Sequence, residues 1–121
     1  MKNYELWPDD RGAHVNAHGG CILKRDGLYY WYGEHKIEGR EGNYAWKGVH
    51  VYSSPDLRSW KDEGLAFDLS GGDVPELVPG QCIVERPKVL FCAKTGKFVL
   101  WFHVERSRRY SDAALGVAIA D

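Results

Sequence analysis

Along this chain the apolar residues come in short runs rather than at helical spacing. Runs rich in Val, Ile, Tyr, Trp and Phe are punctuated by Gly, Asp, Asn and Pro, the pattern of β-strands joined by turns. Strands are predicted over 18–25, 28–34, 47–53, 59–67, 83–92, 97–104 and 114–120, and no segment carries a helix period. Arg25-Asp26-Gly27 and Lys94-Thr95-Gly96 read as the turns of two hairpins, each with Gly where a positive φ is needed. Leu28-Tyr29-Tyr30-Trp31-Tyr32 and Phe98-Val99-Leu100-Trp101-Phe102 are apolar at successive positions. A sheet with one wet face would alternate, so both strands are expected to be covered on two sides, with Trp31 and Trp101 in the core.

The chain also resembles itself. A shift of 69 residues lays Gly27 on Gly96, Tyr32 on Trp101 and the hairpin 21–34 on 90–103, and a shift of 68 lays Gly48-Val49 on Gly116-Val117. Two copies of one hairpin-plus-strand unit are implied, and antiparallel repeats of this size fit the blades of a β-propeller. After the third strand of the first copy, Ser53-Ser54-Pro55-Asp56-Leu57-Arg58-Ser59-Trp60 turns the chain into a fourth, outer strand. The second copy reaches Asp121 before the matching segment. The fold expected is therefore all-β: a first blade over about 14–70 and part of a second over about 80–121. A two-blade arc cannot close a ring, so further blades of a parent protein are the expected partners of its open faces.

Composition narrows the function. With 121 residues and 44% hydrophobic content the chain is the size of one globular domain and apolar enough to form a core. Its 16 Lys and Arg nearly balance its 17 Asp and Glu, so no overall field draws it to nucleic acid or to an anionic membrane. The short basic stretch 106–109 reads as solvated surface, and no apolar run is long enough to span a bilayer. Cys21, Cys82 and Cys92 cannot all pair and form no C-x-x-C, so they read as small buried hydrophobes. The 5 Trp, 7 Tyr and 4 Phe suit both a core and stacking on sugar faces. Among them Trp46, in the polar loop Glu41-Gly42-Asn43-Tyr44-Ala45-Trp46, is the expected stacking platform. His14 and His18 have H-x-x-x-H spacing, but off a helix that spacing has no metal-binding geometry.

The innermost strand of each propeller blade directs one end at the central cavity. The shift of 69 matches Asn16, in Asn16-Ala17-His18-Gly19-Gly20, with Glu85, in Glu85-Arg86-Pro87-Lys88-Val89. An amide and a carboxylate facing one cavity mouth would suit a sugar site. The competing structural reading pairs Glu85 with Arg86 or Lys88.

These two segments, together with His14-Val15, Tyr29-Tyr30-Trp31-Tyr32-Gly33-Glu34, the Ser-Pro-Asp-Leu-x-x-Trp element and the stretch 110–121, resemble successive motifs of glycoside hydrolase family 43. The Asn-Ala-His-Gly-Gly and Glu-Arg-Pro-Lys-Val pair is similar to its galactan exo-1,3-β-galactosidase branch. The resemblance implies a five-bladed propeller that releases terminal galactose from β-1,3-galactan or arabinogalactan, with an oligosaccharide or polysaccharide as substrate and no cofactor or metal.

Most members of the family invert the anomeric centre with a base Asp, a tuning acid and a general-acid Glu, their carboxyls about 6.5–9.5 Å apart. Asn16 stands near the base position, and an amide cannot abstract a proton. That departure matches the galactanase branch. The resemblance implies Glu85 as the second-blade catalytic carboxylate beneath the reacting sugar, with Glu34 and Tyr110 hydrogen-bonding the terminal galactose and Asn16 and His18 also binding substrate. It places the general acid and a water-holding amide beyond Asp121, so this chain alone is expected to be inactive. A parent of this kind would be secreted or periplasmic, although these residues carry no signal peptide. Arabinofuranosidase or xylosidase activity, or a non-catalytic sugar-binding propeller module, are the alternative readings.

Overall fold

The computed structural model describes residues 5–39, 41–69 and 74–121. Their regular elements are β1 (His18–Arg25), β2 (Leu28–Lys36), β3 (Trp46–Ser54), β4 (Lys61–Asp68), β5 (Ile83–Cys92), β6 (Lys97–Glu105) and β7 (Ala113–Ala120), with one 3-10 turn at Gly42–Tyr44. Two antiparallel sheets result, one ordered β1-β2-β3-β4 and the other β5-β6-β7. The strands predicted from the apolar runs are all present. Asp26 (φ 49°) and Gly27 (φ 84°) both adopt the left-handed conformation that a two-residue hairpin turn requires.

The repeat is real, but its offset is not uniform. β1 and β2 close with Arg25 opposite Leu28, whereas β5 and β6 close with Cys92 opposite Lys97, making the second turn two residues longer. The offset is 69 along the second strand, from Tyr32 to Trp101, but 67 along the first, from Cys21 to Lys88, and 66 along the third, from Val51 to Val117. This corrects the shifts of 69 for the first strand and 68 for the third. His18, opposite Glu34, is the ladder counterpart of Glu85, opposite His103, and Asn16 lies outside the strand. Gly48-Val49 likewise does not align with Gly116-Val117.

One core fills the space between the sheets. Trp46, Val49 and Leu69 from the first sheet and its exit meet Leu77, Cys82, Val84, Val89, Leu100, Phe102 and Val104, with Tyr32 and Phe67 packed alongside. A second cluster covers the opposite face of the first sheet, where the N-terminal segment brings Trp7, Val15 and Ala17 onto Tyr29, Trp31, Tyr52 and Trp60. Trp31 stands edge-on to both Trp7 and Trp60, with ring centroids 5.3 and 5.2 Å apart. The first sheet is thus covered on two sides, as its unbroken apolar strand predicts.

The second sheet differs. Leu90, Trp101, Leu115, Val117 and Ile119 form an apolar face left open in this chain, with Trp101 39% and Leu115 65% exposed. The expectation of a core Trp101 is corrected accordingly.

The Ser-Pro-Asp element works as a local scaffold for the exit from β3. Ser54 Oγ accepts the Asp56 and Leu57 amides, and Asp56 Oδ1 accepts those of Arg58 and Ser59. The amides of Ser59 and Arg58 hold the Asp56 carboxyl below its usual range. The compact turn drops Trp60 into the second cluster before β4 begins.

Glycine marks the closest approach. The N-terminal segment crosses β2 so tightly at Gly33 that a Cβ there would lie 2.2 Å from the Ala17 carbonyl carbon. Backbone cannot yield as a side chain can. Gly33→Ala is expected to cost at least the ~1–3 kcal/mol typical of overpacking, measured by urea unfolding. Gly27→Ala, with nothing within 4 Å of its added Cβ, meets only the ~1–2 kcal/mol cost of a left-handed backbone.

Candidate functional site

β5 opens the second sheet and runs beside β1 and β2 of the first, so the innermost strands of both sheets share one seam. A bulge interrupts each first strand at the same place in the repeat. Between His18 and Cys21 it is formed by Gly19 (φ 56°), and between Glu85 and Lys88 by Arg86 (φ 53°). A bulge re-aims the groups around it. Here it points the Arg86 amide at the first sheet, where it donates to Glu34 Oε1 at 2.7 Å.

Glu34 is 5% exposed. Its other oxygen, Oε2, lies 2.7 Å from Lys36 Nζ. The ammonium closes on it as a charge contact without the angles of a hydrogen bond. Gly19 makes the arrangement possible, because a Cβ at that position would come within 2.6 Å of Glu34 Oε1. Lys88 then fastens the seam from the other side. Its Nζ donates to the carbonyls of Gly19 (2.9 Å) and Gly20 (3.2 Å), and the Val89 amide donates to Cys21 Sγ at 3.1 Å.

Glu85 is 9% exposed, and its Oε1 accepts the Tyr110 hydroxyl at 2.7 Å. Lys88 is spent on carbonyls, and among the described residues neither it nor Arg86 forms an ion pair with Glu85. The structural reading that paired Glu85 with a basic neighbour is thereby removed. Tyr110 is 58% exposed and presents its ring at the rim. Burial of its hydroxyl and the hydrogen bond to Glu85 both raise its pKa.

Glu34, Glu85 and Tyr110, far apart in the sequence, therefore gather at one seam. His18 lies opposite Glu34 in the ladder with its side chain exposed, beside Trp7, His14, Val15, Ala17 and Trp31. His14 is held by the N-terminal segment, its Nδ1 accepting the Trp7 amide at 3.2 Å. Asn16 sits behind the seam: Nδ2 donates to the Lys36 carbonyl at 2.7 Å, and Oδ1 accepts the Lys36 amide at 2.9 Å. Both heavy atoms of that amide are engaged with backbone.

Trp46 is not a platform. It is 1% exposed, and its Nε1 donates to the Cys82 carbonyl at 3.1 Å. The polar composition of 41–46 concealed a core anchor. Two residues escaped the sequence reading altogether. Lys36 ends a strand where a charge ordinarily meets solvent, and Asn43, whose Nδ2 donates to the Tyr110 hydroxyl at 2.9 Å, becomes informative only once the loops meet.

A second polar chain lies beneath β2. His50 Nε2 donates to Asp62 Oδ1 at 2.6 Å, which leaves His50 Nδ1 to accept from His35 Nδ1 at 2.7 Å. Asp62 also binds the Arg11 guanidinium and the Gly64 amide. The His50 ring stacks on His35 and on Tyr52, and the Tyr52 hydroxyl accepts the Asn16 amide. This chain ties the N-terminal segment to the strands that hold the site.

No protein-family model and no curated protein matches the chain. Solved structures do. An exo-β-1,3-galactanase from Clostridium thermocellum is 38% identical and matches 99% of this chain with a TM-score of 0.84. A family 43 β-1,3-galactosidase solved with galactodeoxynojirimycin is 42% identical over 98% at 0.80. An exo-β-1,3-galactanase from Phanerochaete chrysosporium, solved with galactose, is 34% identical over 99% at 0.85. The chain spans 24%, 34% and 26% of those proteins, respectively. A Bacillus subtilis arabinanase, 19% identical at a TM-score of 0.61, shares the fold. These neighbours are five-bladed propellers, and the two sheets described above are two adjoining blades, one of four strands and one of three.

His35 makes stability depend on pH. Burial, followed by the neighbouring His50 and Lys47, pushes the His35 pKa below its usual ~6.5. A depressed histidine favours the fold while neutral. Its contribution is full above about pH 6.5 and is lost as pH falls through that value towards the folded pKa. The urea midpoint is expected to drop between pH 7.5 and 5.5, and His35→Phe to flatten that slope.

Proposed function

Because this chain belongs to glycoside hydrolase family 43, we propose that its two blades supply part of the sugar-cleaving site of a hydrolase that releases terminal galactose from β-1,3-linked galactan. One observation supports this reading above the others. Glu34 from one blade and Glu85 from the next are both buried at a single seam, and the Arg86 amide adjoining Glu85 holds Glu34 in place. Burying two carboxylates at one seam is costly unless each is partnered.

Their partners suit different tasks. Glu34 is restrained by Lys36 and a backbone amide, which fits a fixed acceptor for the hydroxyls of a bound sugar. Among the described residues Glu85 hydrogen-bonds a neutral phenol and forms no ion pair with a cation. A carboxylate in that state stabilises positive charge as it develops on the sugar ring during bond cleavage. Tyr110, exposed at the rim beside it, can turn its ring and hydroxyl to the same ligand. Asn16 serves the site indirectly, by fixing the backbone of Lys36, and His18 borders the entrance.

In this reading the proton donor to the leaving oxygen and the group that holds the attacking water come from other blades of the complete propeller. The chain alone therefore does not turn over substrate. The two exo-β-1,3-galactanases and the β-1,3-galactosidase that are 34–42% identical to this chain favour galactose as the sugar released.

The test is galactose release from β-1,3-galactotriose by the complete propeller containing these residues, by its Glu85→Gln variant and by the 121-residue chain. The complete protein is expected to be active. Glu85→Gln is expected to lose about 100-fold or more in kcat, the scale of removing one stabilising group from a transition state, and the short chain to release none. Binding without release by the folded complete protein would replace this reading with that of a sugar-binding module.

A further inference from the structure

The 3-10 turn of the first blade reaches across to the loop of the second blade that carries Tyr110. Glu41 forms an ion pair with Arg108, the Arg108 guanidinium lies 4.3 Å from the centre of the Tyr44 ring, and the Tyr44 hydroxyl donates to the Arg108 carbonyl. At the middle of this contact Asn43 Nδ2 donates to the Tyr110 hydroxyl at 2.9 Å, and that hydroxyl donates to Glu85 Oε1 at 2.7 Å.

A phenol has one proton to give. Its two side-chain partners are the Glu85 carboxylate and the Asn43 amide; an amide turned over to present its oxygen would be a second acceptor, and the carboxylate is the stronger. With its NH2 turned towards Tyr110, Asn43 fills a lone pair of the phenol oxygen and leaves the proton directed at Glu85. The reverse orientation would set the amide oxygen against Glu85 in competition for that proton and leave a lone pair of the phenol oxygen without a donor.

We propose that Asn43 is a positioning residue of the sugar site, acting through Tyr110: it fixes the direction of the Tyr110–Glu85 hydrogen bond and holds the phenol ring of one blade in register with the other. The proposal rests on the reading of Glu85 as the carboxylate beneath the sugar, while the relay itself is a property of this chain. It also gives the 3-10 turn a function. The cross-blade contacts of residues 41–44 stiffen a rim that would otherwise be a polar surface loop, and they do so at the point where an exposed tyrosine meets a buried acid.

Asn43 is exposed, so its replacement empties no core. The first measurement is the titration of Tyr110 in this chain, followed by NMR with tyrosine labelled at Cζ and Tyr110 assigned by its Phe substitution. Asn43→Ala removes a donor to the phenol oxygen, so Tyr110 is expected to titrate about half a unit to one unit higher than in the wild type, the pKa equivalent of one hydrogen bond. A titration within about 0.2 unit of wild type would overturn the relay, since one hydrogen bond is worth more than that.

The second measurement is a double-mutant cycle in the complete propeller. Asn43→Ala is expected to lower kcat/KM on β-1,3-galactotriose about fivefold, one hydrogen bond's worth, and to have no further effect in a Tyr110→Phe background. Additive losses would overturn the proposal, because Asn43 would then act independently of Tyr110. A shifted Tyr110 titration in a propeller that releases no galactose would uphold the relay and sink the hydrolase reading, so the two failures are told apart.

Discussion

A carboxylate withdrawn from water needs charge and hydrogen-bond donors around it, and Glu34 finds them on both sides of the seam between the sheets. Lys36 comes from its own strand and the Arg86 amide from the next sheet. Leaving an ion of this size buried and unpaired costs several kcal/mol, so the position of β5 against β2 is coupled to that one side chain. The left-handed backbone at Arg86 lies in the bulge that presents this amide.

The requirement spreads outward from there. Lys36 keeps its place because Asn16 pairs with both of its backbone groups. Asn16 in turn lies in a segment held down by Tyr52, by the Trp7–Trp31–Trp60 cluster and by the Arg11–Asp62–His50–His35 chain. Residues that never approach a ligand therefore decide where two acids stand. Removal of water from one face of the first sheet and assembly of polar groups at its end are parts of one packing arrangement.

Much of this could be read from sequence because it is local. Strand limits follow from apolar runs, and the turn at Asp26-Gly27 from the backbone those residues tolerate. The register could not be read so directly. A two-residue difference in turn length is invisible to a single sliding offset, and it moved the counterpart of Glu85 from Asn16 to His18. Trp46 and Trp101 exchanged expected places for a related reason: loop composition gave no hint that Cys82 would supply a carbonyl to an indole, and a mid-strand tryptophan reads as core whether or not its own sheet face is covered. Motifs singled out Glu34, Glu85 and Tyr110, which the structure gathers at one seam, but Lys36 and Asn43 carry no local signature: Lys36 is placed by Asn16, 20 residues earlier, and Asn43 meets Tyr110 in another loop.

The seam is joined largely by peptide groups. Glu34 is held by the amide of residue 86, and Lys88 grips the carbonyls of residues 19 and 20. Every amino acid but proline offers that amide, and every one offers those carbonyls. Over evolutionary time the exposed side chain at 86 is consequently free to drift in charge and length without moving either acid. Position 19 has no such freedom, for there a single methyl group would displace the carboxylate that joins the blades.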